Sequence, residues 1–371
     1  MDFDFSDEQM ALRDAVRRWV ERGYGFERRR AISAAGGFDR GVWGELAELG
    51  LTGLTVPEAH GGLGQGPVEA MVVLEELGRG IVLEPLHQAF IASAVLARYA
   101  PEPLAARSLA ALASGESLVV LAHHERAARH RLDACAARAE PSDGGWRVSG
   151  TKSVVPAGDR AQAFIVPARL QGDMALFLVA ADAPGLRTRG YPTLDGGRAA
   201  ELHLESSPAE LITRDGAAAL AFAVDHGIAA CCAEAVGTME QTLAITVDYL
   251  NTRRQFGVPI ASFQALRHRV ADMKMQLELA RSMSYYVTLK LGAPEVERRM
   301  AAARAKVQIG QAARFIGQQA VQLHGGIAVT DEYIVSHHFR RLTQVELMFG
   351  DTLHHLGEVS ARMQETAGVF A

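Results

Sequence analysis

The spacing of apolar residues changes twice along the chain, and this limits the folds that it can adopt. Over residues 5–114, apolar residues recur every three or four positions, which is the period of an amphipathic helix. Over residues 118–211, the runs LVVL, WRVSG, AFIVPA and ALFLVAA and the alternating AELHLE are typical of β-strands. Helical spacing returns from Gly216 onward. The sequence therefore predicts a helical domain, a central β domain and a second helical domain.

A chain of 371 residues is longer than one hydrophobic core usually serves, so we expect several domains. We place their bounds at residues 1–115, 116–213 and 214–371. The loop LTVPEAHGGLGQG interrupts the first domain, because proline and glycine disfavour a helix interior, and a helix should resume near Val68. In the last domain, an apolar stripe from Phe263 to Ala280 and a segment from Pro294 to Gly325 predict long helices of a packed antiparallel bundle.

Charge and cysteine content exclude several classes of protein. The formal net charge of −5 gives no basic surface of the kind that non-specific nucleic-acid binding requires. The acidic start MDFDFSDEQM does not resemble a secretory signal, and we expect no apolar run long enough to span a membrane. Three cysteines form neither a disulfide framework nor a metal-binding spacing. These features favour a cytoplasmic protein without a nucleic-acid or membrane partner.

Neighbouring histidines and cysteines raise the question of a metal site, and their spacing argues against one. Adjacent side chains point to opposite faces of a strand and diverge by about 100° on a helix, so the histidine pairs do not converge on one ion. Cys231 and Cys232 lie in an Ala-rich helical run and are predicted to be small, buried packing residues. The sequence predicts no bound metal.

The segment YLNTRRQFGVPIASFQALRHRVADM joins the end of one predicted helix to the start of the next. Its glycine and proline predict a turn that directs Arg253, Gln255 and Phe256 to one place. The arginine offers a planar fork that suits phosphate oxygens, the phenyl ring offers a flat face, and Gln264 adds an amide nearby. The alternative is that Arg253 is a solvated charge and Phe256 a core residue.

A second segment, AVQLHGGIAVTDEY, runs from a helix into paired glycines. Gly325 and Gly326 let a ligand approach the backbone closely, and exposed amide groups there can hold a pyrophosphate. The alternative is a glycine cap of the helix without any ligand.

Four segments resemble the successive signatures of acyl-CoA dehydrogenases. In chain order they are VPEAHGGLG, SGTKSVVPAG, RRQFGVPIASFQALRHRVADM and QLHGGIAVTDEY, and they extend over nearly the whole chain. The start MDFDFSDEQ, the stretch LTGLTVPEAHGGLGQGPVE and the end FRRLTQVELMFGDTLHHL are more particularly similar to the small subunit of pimeloyl-CoA dehydrogenase, a heteromeric type. The resemblance implies a helical domain, a β domain and a four-helix C-terminal domain.

The resemblance also implies an FAD-dependent enzyme that introduces an α,β double bond into an acyl-CoA thioester, in the degradation of fatty acids or steroids. In this family a carboxylate removes the α proton. FAD lies between the last two domains and reaches a neighbouring subunit, and the electrons pass to an electron-transferring flavoprotein or a similar acceptor. The residues that match the family's contacts to a neighbour's FAD are Arg253, Gln255, Phe256, Gln264, Gln322 and Gly326.

The glutamate that removes the proton in this family has no counterpart at either of its usual positions. The family's aromatic-Glu-Gly-Thr stretch corresponds to residues 349–352, where Gly350 replaces the glutamate, and the second position falls at Gly227. Asp351 and Asp225 are the nearest acids, and Asp351 is the candidate base in this chain. We interpret both first as surface acids, because Asp is shorter than Glu and both are displaced in sequence.

The β domain departs from the family in the same direction. Val154 and Pro156 stand where the family has a tryptophan and a threonine that contact the flavin ring, so a stacking face and a hydroxyl donor are missing. Residues that serve a chain's own flavin ring are altered, whereas those that serve a neighbour's FAD are kept.

One hypothesis accounts for both observations: the chain completes the FAD site of a partner. It predicts a heterotetramer of two unlike chains with one FAD per unlike pair, in which a larger acyl-CoA-dehydrogenase-like partner supplies the glutamate and the ring contacts. Two alternatives stay open. The chain could be a self-sufficient homo-oligomer with Asp351 as its base, or a non-catalytic scaffold that has kept the fold and lost FAD.

Overall fold

The N-terminal helices begin where the sequence signals predict. The computed structural model describes residues 4–367. Ser6 and Gln9 form a capping box, in which each side chain accepts a hydrogen bond from the other residue's main-chain N–H. A helix from Pro67 confirms the predicted restart near Val68. The helices of this part are α1 (Asp7–Gly23), α2 (Phe26–Ala34), α3 (Arg40–Glu48), α4 (Pro67–Arg79), α5 (Leu86–Tyr99) and α6 (Glu102–Ala113), with a short 3-10 helix at Glu58–His60.

The strands follow in the middle of the chain. They are β1 (Val119–Leu121), β2 (Arg138–Ser142), β3 (Gly145–Pro156), β4 (Ala163–Leu170), β5 (Asp173–Ala180), β6 (Leu186–Pro192) and β7 (Arg198–Thr213). Five of them close into a ring in the order β4–β2–β3–β7–β5 and back to β4, while β1 pairs with β4 and β6 with β7. The runs predicted as strands are confirmed. The sequence missed β2 and β6, because both are polar, largely exposed and contain proline.

The C-terminal part returns to helices, which confirms the predicted order of helical, β and helical regions. Its helices are α7 (Gly216–Thr252), α8 (Gln264–Leu289), α9 (Glu295–His324), α10 (Ile334–Leu347) and α11 (Thr352–Ala367). Helix α9 packs against α8, α10 and α11. These are five helices within the described residues, one more than the predicted four, because the chain turns at Phe349 and Gly350 and continues as α11.

Helix α7 corrects the expectation that no segment is long and apolar enough to span a membrane. By length and composition, this helix of 37 residues could cross a membrane, and no other helix in residues 4–367 is long and apolar enough to do so. Of its most apolar window, 83% is buried inside the protein. A core helix passes the same test, so α7 is weak evidence for a membrane segment.

The chain forms two compact units that do not coincide with single stretches of sequence. The helical unit comprises the described residues of Met1–Arg29, Met71–Val82 and Ile228–Ala371, and the mixed unit comprises Arg30–Ala70 and Leu83–Gly227. The predicted domain bounds at residues 115 and 213 fall between α6 and β1 and between β7 and α7. As bounds of domains, they stay a prediction.

Two glycines allow α4 and α7 to approach closely in the helical unit. A Cβ atom added at Gly237 would lie 1.7 Å from the main-chain oxygen of Glu75, and one added at Gly78 would lie 2.1 Å from that of Glu234. The Thr238 hydroxyl donates a hydrogen bond to Gly78 O at 2.9 Å. Because no side chain separates the two helices here, backbone packs directly on backbone.

Candidate functional site

A short hairpin joins α7 to α8 and carries the first predicted motif. Its strands are β8 (Arg254–Gln255) and β9 (Val258–Pro259), and a 3-10 helix at Ile260–Ser262 leads into α8. Phe256 and Gly257 form the turn, with φ angles of 52° and 80°. Positive φ at both central positions is typical of a type I′ hairpin turn. The hairpin is a defined structure, and Arg254 Nη2 donates to Gly257 O across it at 2.9 Å.

Phe256 is 91% exposed, so the alternative that it is a core residue is wrong. A two-residue turn offers no interior in which to bury a phenyl ring, and positive φ at a bulky residue is strained. The ring lies edge-on to that of Phe263, with centroids 6.2 Å apart. An exposed aromatic face on a strained turn is suited to contact with a planar ligand.

The polar members of the motif are exposed as well. Arg253, Gln255 and Gln264 are all exposed, and Gln264 is the first residue of α8. Within residues 4–367, the Arg253 guanidinium has no hydrogen-bond or ion-pair partner. An arginine without a protein anion is available for phosphate oxygens of a ligand.

The second motif forms the C-terminal end of α9. Helix α9 ends at His324, and Gly325 follows with φ 68° and ψ −147°, a conformation that essentially only glycine adopts. The Gly325 N–H donates to Val321 O, so the predicted glycine cap is present and this amide is already used within the chain. Gln322, Gly325 and Gly326 are exposed, and a ligand can reach the surface of this corner.

Tyr249, near the end of α7, connects the two motifs. Its phenol O–H donates to His324 O at 3.3 Å, and the two rings lie 4.4 Å apart with an interplanar angle of 30°. Its main-chain oxygen accepts from Arg253 N at 2.8 Å. The hairpin and the glycine corner, which comprises Gln322, Gly325 and Gly326, are therefore neighbours, although about 70 residues separate them in sequence. Sequence reasoning missed Tyr249, since no spacing links it to His324.

A side chain at position 350 would be strained in the turn between α10 and α11. Phe349 and Gly350 have φ angles of 55° and 107°. A Cβ atom added at Gly350 would lie 2.6 Å from His355 Nε2 and 2.7 Å from His354 Cδ2. Both the backbone conformation and the two imidazole rings disfavour a side chain at this position.

The two acids closest to the family's base positions are each engaged otherwise. Asp351 Oδ1 accepts a hydrogen bond from His354 N at 2.7 Å, so Asp351 caps the N-terminus of α11. Asp225 is fully buried in α7, which corrects its interpretation as a surface acid. Gly227 is buried in the same helix. The geometry favours a structural role for Asp351 over that of a base.

Buried polar side chains that the sequence did not reveal hold this turn. Lys306 of α9 is fully buried, and its ammonium donates to Val345 O at 2.8 Å and to Glu346 O at 2.9 Å. Glu346 Oε1 accepts from Thr352 N at 3.1 Å and from the Thr352 hydroxyl at 2.8 Å. The one available signal was a lysine within an Ala-rich helical run. Lys306 therefore holds the end of α10, and Glu346 holds the start of α11.

His355 completes the turn as a neutral imidazole. Burial lowers its pKa to about 3. Its Nε2 pairs with Phe349 O at 2.9 Å, and because a carbonyl can only accept, Nε2 carries the proton. A group with so low a pKa is a poor general base near neutral pH.

The altered flavin-ring positions lie at the end of β3 in the mixed unit. Val154 has a φ of 53° and a side chain that is 46% exposed. Nearby, the buried Lys152 donates to Glu125 Oε1 at 2.5 Å, and the same carboxylate accepts from Ala136 N at 2.7 Å. This pair holds the loop after β1. Neither Val154 nor Pro156 supplies a stacking ring or a hydroxyl.

The cysteine pair lies in the core. Cys231 and Cys232 are 1% and 0% exposed, which confirms their prediction as packing residues, and burial raises the pKa of the Cys231 thiol. In the described part of the chain, no group of three or more His, Cys, Asp or Glu side chains is placed to hold a metal.

Comparison with known proteins places these features in context. The model of the acyl-CoA dehydrogenase N-terminal domain matches residues 6–116, and that of the acyl-CoA dehydrogenase C-terminal domain matches residues 214–364. The acyl-CoA dehydrogenase FadE27 of Mycobacterium tuberculosis is 27% identical over 89% of each chain. The acyl-CoA dehydrogenase IpdE2 of the same organism is 31% identical, over 90% of this chain and 91% of its own.

Solved structures share the fold over almost the full length. A chain from a variant of the Tcur3481–Tcur3483 steroid ACAD is 30% identical, with a TM-score of 0.91 over 98% of this chain and 99% of its own. A chain of the ChsE4–ChsE5 complex from Mycobacterium tuberculosis is 27% identical, with a TM-score of 0.90 over 99% of this chain and 100% of its own.

Proposed function

The chain belongs to the acyl-CoA dehydrogenase family, and we propose that it is the subunit of a heteromeric enzyme that completes the FAD site of a larger partner chain. The turn between α10 and α11 carries this proposal. A side chain at position 350 would be strained, because the φ is 107° and an added Cβ atom would lie 2.6 Å and 2.7 Å from atoms of two imidazole rings. In this proposal, the proton-abstracting carboxylate comes from another chain.

Members of this family depend on FAD, which when bound supplies the electron acceptor for dehydrogenation of an acyl-CoA thioester. The residues at the ends of α7, α8 and α9 fit its nucleotide end. The unpartnered Arg253 guanidinium suits pyrophosphate oxygens, and the Phe256 ring offers an exposed face. The further candidates for this contact are Gln255, Gln264, Gln322, Gly325 and Gly326.

The contribution of this chain is therefore binding and orientation. In the partner's site, these groups would hold the cofactor while the partner's carboxylate removes the α proton and its polar groups stabilise the thioester oxygen. An exposed arginine and aromatic side chain at the end of a helical bundle are accessible to another subunit. This arrangement agrees with the resemblance to the small subunit of pimeloyl-CoA dehydrogenase.

Two of the similar structures support a two-chain assembly. One is described as the Tcur3481–Tcur3483 steroid ACAD and the other as the ChsE4–ChsE5 complex. We propose a heterotetramer of the same kind, with a steroid-derived acyl group as the first candidate substrate ahead of a dicarboxylic or aromatic one. We further propose that the enzyme works in the cytoplasm and passes electrons to an electron-transferring flavoprotein or a similar acceptor.

Purification of the chain alone and together with a larger dehydrogenase-like chain encoded beside it tests the proposal. The lone chain should be colourless, and the co-purified complex should carry one FAD per unlike pair. Stoichiometric FAD and turnover from the lone chain would show instead a self-sufficient homo-oligomer. A complex that never contains flavin would show a scaffold.

Arginine variants of this chain link the flavin to the proposed contact. Replacing Arg253 by alanine should raise the Kd of the complex for FAD by about tenfold or more, because a charge-assisted contact to phosphate is lost. Arg304, an exposed arginine on α9, is the matched control, and Arg304→Ala should leave the Kd unchanged. Equal Kd values for the two variants would contradict the assignment of Arg253.

A further inference from the structure

The two exposed motifs at the FAD site have to keep a fixed separation if they are to hold one molecule. The hairpin carries Arg253 and Phe256, and the glycine corner carries Gln322 and Gly326. They are separate loops at the ends of different helices. Because a ligand that bridges two loops loses affinity when either one moves, the groups that join the loops matter to binding.

Tyr249 joins them on the hairpin side. Its main-chain oxygen accepts from Arg253 N at 2.8 Å, so the start of the hairpin is attached to the last turns of α7. Its phenol O–H reaches across to His324 O at 3.3 Å. One side chain thus spans the distance between the motif of Arg253 and the end of α9.

His324 joins them on the side of the glycine corner. It is 4% exposed, and its ring lies between those of Tyr249 and Tyr333, at centroid distances of 4.4 Å and 5.4 Å. Its Nδ1 pairs with Ala320 O at 2.9 Å and therefore carries the proton. Nε2 is then a buried acceptor without a partner in the described residues. This ring is oriented by its own helix and by two aromatic neighbours.

The next residue explains why the orientation of His324 matters. Gly325 follows directly, with φ 68° and ψ −147°, so α9 ends immediately after the oxygen that Tyr249 holds and a 3-10 helix (Gly325–Val329) follows. Any shift of His324 is passed to Gly325 and Gly326. The side chain of Gln322 lies on the same last turn of α9.

We propose that Tyr249 and His324 are positioning residues that set the distance between the Arg253 hairpin and the glycine corner, so that both motifs bind the same FAD molecule. This rests on the proposed function, in which these motifs hold the nucleotide end of FAD. Neither residue has to touch the cofactor. Burial lowers the pKa of His324, which favours the neutral ring, and the hydrogen bond from Nδ1 to Ala320 O sets its tautomer.

Variants at the two positions separate positioning from packing. Tyr249→Phe keeps the ring and loses one hydrogen bond, so the Kd for FAD should rise by about threefold to tenfold. Tyr249→Ala also loses the stacked ring, and the Kd should rise by more than about tenfold. His324→Phe keeps the stacked ring, so its Kd for FAD should stay within about threefold of the wild-type value. His324→Ala loses the ring, and its Kd should rise by more than about threefold.

A double-mutant cycle gives the decisive test. If Tyr249 acts by placing Arg253, then Arg253→Ala should raise the Kd by a smaller factor in the Tyr249→Ala background than in the wild type. Purely structural roles would lower the melting temperature and leave the Kd for FAD unchanged, or would give additive effects, and either result overturns the proposal. Where Tyr249→Ala does not fold, the same cycle is run with Tyr249→Phe.

The measurements use whichever assembly of the full chain contains FAD, so the two proposals fail separately. Flavin bound by the lone chain overturns the proposed division between subunits, and the variants then test the positioning role in that homo-oligomer. Unchanged Kd values in a complex that needs the partner overturn the positioning role alone. The absence of FAD from every assembly overturns both.

Discussion

Replacing Gly237 by alanine should separate α4 from α7 and destabilise the helical unit. The added Cβ would lie 1.7 Å from the main-chain oxygen of Glu75, whereas real carbon–oxygen contacts of this kind lie above 3.0 Å. Neither atom is the end of a flexible side chain. The helices themselves have to part by more than about 1 Å to relieve the overlap.

The cost follows from three contributions. Overpacking of a closely packed contact costs about 1–3 kcal/mol. Movement of α4 also weakens the hydrogen bond from Thr238 to Gly78, which contributes about 1 kcal/mol. Alanine offsets about 1 kcal/mol of this, because it favours a helix more than glycine does. We expect a net loss of about 1–3 kcal/mol in the free energy of unfolding.

Urea unfolding of the full chain, followed by circular dichroism, measures this loss as a shift in midpoint at a constant slope. The matched control is Gly357→Ala, since Gly357 is exposed within α11 and an added Cβ there meets nothing within 4 Å. That substitution should stabilise the chain by about 0.5–1 kcal/mol. If Gly237→Ala also stabilises it, or changes it by less than about 0.5 kcal/mol, the direct contact of the two backbones is refuted.

Three further outcomes follow from the structure of the helical unit. Asp351→Asn should preserve the activity of the complex and the stability of α11, because asparagine caps a helix as well as aspartate. If Asp351 were the base, the steady-state turnover of this variant would instead fall by several orders of magnitude. Gly350→Glu should give the lone chain no dehydrogenase activity and should lower its urea midpoint, since position 350 has a φ of 107° and lies against two imidazoles. Burial lowers the pKa of His338 to about 3, so the unfolded chain binds a proton below pH 6.5 that the folded chain does not. His338 alone should therefore lower the free energy of unfolding by about 1.4 kcal/mol for each unit that the pH falls between pH 6.5 and 3, and His338→Gln should remove that part of the difference between urea midpoints at pH 7 and pH 5.

The fold was largely readable from periodicity. The helices from Pro67 and Glu295 and the strands with alternating or continuous apolar runs lie where the pattern predicts them. Strands β2 and β6 were missed because polar, proline-containing segments become strands only when neighbours pair with them. The apolar length of α7 was also underestimated, since acids within the helix, such as Asp225 and Glu234, interrupt the apolar run in the sequence.

The site was predictable in part. The resemblance identified two candidate motifs, one at Arg253 and one at Gly326. The structure places them at neighbouring helix ends. Their exposure was not predictable, and Phe256 in particular was open to interpretation as a core residue. Tyr249 and Lys306 act through contacts to residues 75 and 39 positions away, respectively, for which the sequence carries no signal.

By itself, the sequence determined the order of helical and strand regions, and it displayed two candidate nucleotide-binding motifs and a glycine at position 350. These depend on local spacing and on residue identity, which a single chain displays directly. Only the tertiary structure decided that imidazoles fill the space at Gly350, that Asp351 caps a helix and that Asp225 is buried. The contacts of Gly350 and Asp351 are local, but they need the turn that the distant Lys306 holds through Val345 O and Glu346 O. The burial of Asp225 depends on side chains that folding alone brings together.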